Sequence, residues 1–291
     1  MHVDHERRQR HRDMGTAMTI PGRTILITGS SSGIGRETAR LCHRRGWNVA
    51  ATMRQPEEER ELATFPDVIC PRLDVTNEES IARAIQETID RFGGIDVVVN
   101  NAGYAVVGPF EAASAEQMER QFAANVFGLM AVTKAVLPHF RSREAGTIIN
   151  VASIGGRVAF PLFSLYHATK WAVEGFSESL QHELRPLGIR VKIIEPGPIN
   201  TDFYGRSMDR APAEALNEYH AFTERTMTAL RQFGPRGASP ARVARVIVKA
   251  AASQSWRLRY KTDLMGRLIL LSRRCMPDWL FNGITRTAVM R

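Results

Sequence analysis

Thr24-Ile25-Leu26-Ile27-Thr28-Gly29-Ser30-Ser31-Ser32-Gly33-Ile34-Gly35 joins an apolar run to a glycine-rich turn, and a helical pattern follows over about 36–45. A short aliphatic run bounded by turn residues reads as a buried strand. Glycines after such a strand let the backbone approach a pyrophosphate closely, and the N-terminus of the next helix offers unpaired N–H groups and a positive dipole end. A tight turn with no ligand explains the same glycines, so the turn needs support from the rest of the chain.

That support is the repeat of the pattern. Further apolar runs lie at 47–53, 68–73, 95–100, 147–151 and 191–194, separated by helical patterns at 81–92, 114–140 and 166–187. Fully apolar strands alternating with amphipathic helices predict an α/β fold, a Rossmann-type doubly wound parallel sheet with helices on both faces. Ligands of such sheets bind at the carboxyl ends of the strands.

The 291 residues are 44% hydrophobic and 24% charged, which suits one folded globular body. Residues 1–19 lack periodicity and are expected to be a disordered extension, with Met18 a candidate start of the folded part. Residues 20–291 are expected to form a single domain, with a substrate lid over about 202–235 and a basic tail over about 256–291. Cys42, Cys70 and Cys275 have spacings that fit neither a disulfide framework nor a zinc site. No run has the look of a signal segment or a bilayer span, so a cytoplasmic protein is expected. The net charge of +9 is concentrated in the tail, where eight Lys and Arg face two acids. The nearly balanced remainder argues against a nucleic-acid partner.

The second strand ends in Ala50-Ala51-Thr52-Met53-Arg54. No carboxylate stands where one would bind the 2′-hydroxyl of NAD, and Arg54 offers a planar fork to a 2′-phosphate. NADP(H) is therefore favoured over NAD(H), although Arg54 as an ordinary solvated loop residue remains open. Asp74, ahead of Val75, could accept from an adenine amino group or cap the next helix. Asn100-Asn101-Ala102-Gly103 could let the chain pass close to a cofactor or could be a turn.

Tyr166 and Lys170 lie four apart in Tyr166-His167-Ala168-Thr169-Lys170, on one face of a helix. An ammonium beside a phenol favours the phenolate, and Lys170 would also reach the nicotinamide ribose. Such pairs arise by chance, but Ser153 follows the strand at 147–151, at the edge where the cofactor site must be, and its hydroxyl could polarise a carbonyl. Asn125, set among Phe122, Val126 and Phe127, is either a buried amide bridging backbone groups or the anchor of a water that leads protons to Lys170.

At these residues the chain resembles the short-chain dehydrogenase/reductase family, from Thr24 to about Thr201. The likeness lies in the Thr-Gly-x-x-x-Gly-x-Gly turn, Asp74, Asn100 to Gly103, Asn125, Ser153, Tyr166 and Lys170, and Pro196-Gly197. It implies a nicotinamide enzyme with an Asn125-Ser153-Tyr166-Lys170 tetrad. Gly29, Ser31, Ser32, Gly33, Ile34, Gly35, Arg54, Asp74, Val75, Asn101, Ala102, Gly103, Tyr166, Lys170, Pro196, Gly197, Ile199 and Thr201 would then hold the cofactor. It also implies carbonyl–alcohol interconversion with Tyr166 as acid/base, and a homodimer or homotetramer joined through the helices around Asn125 and Tyr166. Reduction is the expected direction because cellular NADP pools are usually kept reduced. Asn100 to Tyr104, Gly108-Pro109-Phe110-Glu111 and Thr52-Met53-Arg54 resemble the branch holding 17β-hydroxysteroid and retinol dehydrogenases, which implies a bulky lipophilic substrate. A reductase of carrier-bound β-ketoacyl groups and a non-catalytic NADP(H) sensor are the rival readings.

Phe203, Tyr204, Tyr219, Phe222 and Met227 suit a lid over an apolar pocket or plain helix packing. In the tail, Leu264, Leu268 and Leu271 recur at helical spacing beside Arg267 and Arg274. A helix packed on the substrate region or on a partner subunit is preferred there to one lying on a membrane.

Overall fold

A computed structural model describes residues 22–199, 208–212, 216–233 and 237–290. Strands β1 (Thr24–Ile27), β2 (Asn48–Ala51), β3 (Val68–Ile69), β4 (Val97–Asn100), β5 (Ala105–Val107), β6 (Gly146–Val151), β7 (Ile189–Glu195), β8 (Met208–Arg210) and β9 (Arg259–Lys261) occur in that chain order. Between and after them come helices α1 (Gly33–His43), α2 (Glu78–Phe92), α3 (Ala115–Phe122), α4 (Gly128–Ser142), α5 (Ser164–Leu184), α6 (Asn217–Phe233), α7 (Pro240–Ala252), α8 (Leu264–Cys275) and α9 (Asp278–Met290).

Seven strands form one parallel sheet in the order β3-β2-β1-β4-β6-β7-β9. Side chains alternate across a strand, so Ile25 and Ile27 face one layer while Leu26 faces the other. The first layer is closed by Ala39 and Cys42 of α1 and by Val243 and Ile247 of α7. The second is closed by Ile81 of α2, by Val132, Val136 and Phe140 of α4, and by Leu180 of α5. Both faces are thus buried, which is why the strands read as unbroken apolar runs. The order reverses at β1 and β4, and the crevice beyond their carboxyl ends is where a doubly wound sheet receives a ligand.

The structure corrects several expectations. The helix expected over 114–140 is interrupted, because Ala123–Phe127 is a π turn that places Asn125 at its centre. Hydropathy alone does not show such a turn, since Phe122 through Phe127 stay compatible with one continuous helix. Residues 115–142 are also long and apolar enough to cross a membrane, contrary to the reading that no run is. Their inner face packs on the sheet instead. Three short strands escaped notice. β5 and β8 pair in a separate two-stranded ribbon, and β9 pairs with β7 at the sheet edge, within what read as a helical tail. Strands of three residues carry too little periodicity to be seen, and their partners are distant in sequence.

The tail helix packs on the body of the protein through a face other than its leucine stripe. Gly266 and Leu270 face inward, whereas Leu264, Leu268 and Leu271 are 65%, 56% and 56% exposed. Asp263 caps α8 and holds its first turn, and a Cβ on Gly266 would stand 3.1 Å from Ile154 Cγ2. The inward face is therefore close-packed at Gly266, where a larger residue would have to displace Ile154, and the Asp263 cap fixes the helix start beside it.

Candidate active site

One continuous cleft of about 1530 Å³ runs along the carboxyl ends of the strands. At one end is the glycine-rich turn. Gly29 has φ +69°, and a Cβ there would meet Ala102 Cα at 2.9 Å. Gly33, with φ +55°, opens α1. Thr28 Oγ1 accepts from the N–H groups of Asn101 and Ala102, both at 3.0 Å, and Asn101 Nδ2 donates to the carbonyls of Thr28 and Gly29. Asn101 thereby locks the turn after β4 to the turn after β1, a structural duty the sequence alone left undecided.

Gly29, Ser31, Ser32, Gly33, Ile34, Arg54, Asp74, Val75, Asn101, Ala102, Gly103, Pro196, Gly197 and Ile199 all line the cleft, as do Ser153, Tyr166 and Lys170. Gly35 does not. A Cβ on it would lie 2.3 Å from the Gly29 carbonyl oxygen, so it serves the close packing of α1 beneath the turn. Thr201, Phe203 and Tyr204 lie outside the described residues. Asp74 accepts from Thr76 N and Oγ1, at 2.9 and 2.7 Å. This fixes the turn ahead of α2, whose cap is Asn77.

The ribose end is mixed in charge. Arg36 pairs with Glu59 and Glu61, and Arg72 with Glu57. Arg54 is exposed, borders the cleft, and makes no side-chain pairing among the described residues. Sequence reading missed Arg36 and Glu59 here, because residues 23 apart reveal a pairing only when folded.

The four catalytic candidates come from three parts of the chain. Ser153 ends the β6 strand region, with its Oγ accepting from Gly155 N at 3.0 Å. Tyr166 and Lys170 stand on α5, the Lys170 Nζ 5.7 Å from the Tyr166 ring. Lys170 is 7% exposed and donates to the Val151 carbonyl at 2.9 Å. Burial lowers its pKa to about 8, opposed by the charge of Glu174 one turn on. Glu174 is itself pushed up to about 7 by burial and by Glu195, against Arg259 and Arg157. Asn125 is buried outside the cleft lining. Its Nδ2 donates to the Tyr104 carbonyl and to Thr169 Oγ1, and its Oδ1 accepts from Tyr104 N. A Cβ on Gly103 would be 3.0 Å from Asn125 Oδ1 and 3.9 Å from Lys170 Nζ, so the bare glycine leaves a gap between those two groups.

Two further residues organise the site. Burial lowers the His167 pKa to about 4, so the ring is neutral at physiological pH. It bridges the Gly155 carbonyl and the Phe160 N–H, fixing the wall next to Tyr166. Asp263 accepts from Gly197 N, Thr262 Oγ1 and Gly266 N, tying the Pro196-Gly197 turn to the tail. Asp263→Ala is expected to lower stability by about 1–3 kcal/mol, since a cap and a buried N–H lose their acceptor. Urea unfolding measures this.

The wall opposite the glycine turn is apolar and comes from the tail: Met265, Ile269, Met276, Phe281 and Ile284. No residue of α6 lines the cleft among the described residues. Phe222 and Met227 pack instead against the buried cluster of Ala105, Val107, Leu162 and Phe163, on which Tyr166 also rests. The arrangement can hold a dinucleotide along the strand ends and a lipophilic group against the tail. A hydroxyl, a phenol and a buried ammonium meet between them.

The chain is similar to known proteins. A family model described as short chain dehydrogenase matches residues 23–211. The 3-ketodihydrosphingosine reductase of Bacteroides thetaiotaomicron is 35% identical over 256 residues, covering 87% of this chain and 93% of that protein. Human retinol dehydrogenase 8 is 36% identical over 262 residues, covering 85% and 83%. A Burkholderia cenocepacia short chain dehydrogenase solved with NADP superposes with a TM-score of 0.73 at 25% identity, covering 92% of this chain and 99% of that one.

Proposed function

The chain belongs to the short chain dehydrogenase family, and from that premise we propose an NADP(H)-dependent oxidoreductase that interconverts a carbonyl and an alcohol on a lipophilic substrate. The observation that carries the reading is the convergence of Ser153, Tyr166 and Lys170 in a cleft continuous with the glycine-rich turn.

The residues present suit a dinucleotide. The positive φ at Gly29 and Gly33 exposes backbone N–H groups at the start of α1, and Gly103 leaves room beside Lys170. When bound, the nicotinamide supplies or takes up a hydride. The protein handles the proton. Ser153 Oγ donates to the substrate oxygen, and Tyr166 gives its phenolic proton to the same atom as the carbonyl becomes an alcohol. Lys170, held on the Val151 carbonyl, stabilises the phenolate left behind. Reduction is the preferred direction because cellular NADPH pools are kept reduced. The convergence of all three groups argues against a pure cofactor sensor, which needs none of them.

Lipophilic substrates are favoured by the apolar tail wall and by the names of two relatives, a 3-ketodihydrosphingosine reductase and a retinol dehydrogenase. Loss of NADPH absorbance with a panel of free hydrophobic ketones, run beside carrier-bound β-ketoacyl groups, tests this. Turnover of carrier-bound groups alone would transfer the protein to the rival class. Arg54 supports NADP(H), as an exposed cation beside the glycine-rich end of the cleft with no side-chain pairing among the described residues. Arg54→Ser is expected to raise KM for NADPH about tenfold or more, the worth of a hydrogen bond to a charged group, and to leave NADH unchanged. The same change in both cofactors would remove the preference. A homodimer or homotetramer is supported by Phe127 and Trp171, which are exposed on the helices around Asn125 and Tyr166.

A further inference from the structure

The two tail helices place large apolar side chains in solvent. Leu264, Leu268 and Leu271 of α8 and Trp279 and Ile284 of α9 are all at least half exposed, Trp279 to 75%. Scattered apolar residues are ordinary on a protein surface, but five on two consecutive helices make a patch that needs an occupant. The helices are anchored from their other side, through Gly266, Leu270 and Phe281. The patch is therefore left over after packing and is not a core face awaiting closure.

Its charges indicate what covers it. Arg267, Arg274 and Arg286 are exposed and make no ion pair among the described residues, whereas Arg273 is paired with Asp278. Leucine and tryptophan flanked by arginines match the chemistry of an anionic bilayer surface. Apolar chains enter the acyl boundary, the indole sits at headgroup level, and guanidinium groups meet lipid phosphates. A second copy on the same face would bring these arginines toward their own counterparts. Phe127 and Trp171, on other helices, offer copies a separate apolar contact.

Position adds a reason. Ile284 and Met265 are both exposed and both line the cleft, so the patch runs into the cleft mouth. We propose that α8 and α9 dock the protein peripherally on an anionic membrane, with the cleft mouth at the lipid surface so that a lipophilic molecule passes between bilayer and cleft without crossing water. Docking itself stands on the exposed face and does not depend on the identity of the substrate.

The test is flotation of the full chain with phosphatidylcholine vesicles containing about one third phosphatidylserine, and with pure phosphatidylcholine. Three forms are compared: wild type, Leu268→Ser/Leu271→Ser and Arg267→Gln/Arg274→Gln. None of the four substituted residues lines the cleft. Wild type is expected to float with the anionic vesicles and to be released by salt. The arginine pair should bind about thirtyfold more weakly, at the usual worth of a basic residue near an anionic surface, and the leucine pair should also lose binding. Unchanged thermal unfolding shows that the variants are folded. The proposal is overturned if wild type stays unbound, or if both double variants float as it does. It is equally overturned if light scattering shows a dimer that the leucine pair converts to monomer. A rise in KM for carrier-bound β-ketoacyl groups in the arginine pair, with vesicle binding unchanged, would assign the patch to a carrier protein instead.

Discussion

Tyr166→Phe is expected to lower kcat by about two to four orders of magnitude while leaving NADPH affinity within a factor of a few. The substitution removes the hydroxyl assigned to give the proton and keeps the ring, which packs edge-on against Phe163 at 6.1 Å. The cofactor end of the cleft is untouched, so binding followed by NADPH fluorescence should survive. Retained turnover would move the acid elsewhere and sink the mechanism. The same assay gives a pH test. Lys170 carries its charge below a pKa of about 8 and loses it as pH rises through that value. Its support for the phenolate then fades, and kcat for reduction should fall on the alkaline side. Loss of the cation at higher pH, not its gain, sets the sign.

The second large effect is on the glycine turn. Gly35→Ala would force a Cβ to within 2.3 Å of the Gly29 carbonyl oxygen and 2.7 Å of Asn101 Nδ2. One neighbour is backbone and the other is the staple between two turns, so neither can yield cheaply. Overpacking of this kind costs about 1–3 kcal/mol, and the displaced turn should weaken NADPH binding on the order of tenfold. Gly175→Ala is the matched control. Nothing lies within 4 Å of its added Cβ, and it sits inside α5, so helix propensity predicts a gain of about 0.5–1 kcal/mol. The same chemical change should therefore have opposite signs at the two sites. Equal unfolding midpoints for both variants would contradict the packing account.

The residues that meet in the cleft were readable one by one because each follows an apolar strand or repeats at helical spacing. Ser153, Tyr166 and Lys170 were legible in this way, as was the glycine turn. Their supports were not. Asp263 fastens Gly197 across 66 residues, and Glu174 modulates Lys170 inside a cluster with Glu195 of β7, Arg259 of β9 and Arg157 of the turn after Gly156. Pairings of that kind leave no local pattern. The tail's share in the cleft was hidden for a related reason. Of the two readings open for Tyr219, Phe222 and Met227, the described residues show helix packing for Phe222 and Met227, while Met265, Ile269, Phe281 and Ile284 of α8 and α9 line the cleft.

The sequence by itself determined the parallel sheet, the glycine-rich turn and the candidates for the reacting groups. Burial on both sheet faces, helix periodicity and glycine at a close approach are local demands that each residue type must meet where it stands. Only the tertiary structure decided which face of the tail is buried, where the π turn sets Asn125, and how low Lys170 titrates. Those outcomes depend on contacts between distant segments: Gly266 against Ile154, Asn125 against Tyr104 and Thr169, and Lys170 on the Val151 carbonyl. A leucine stripe is equally consistent with an inward or an outward face until a close contact selects the rotation of its helix.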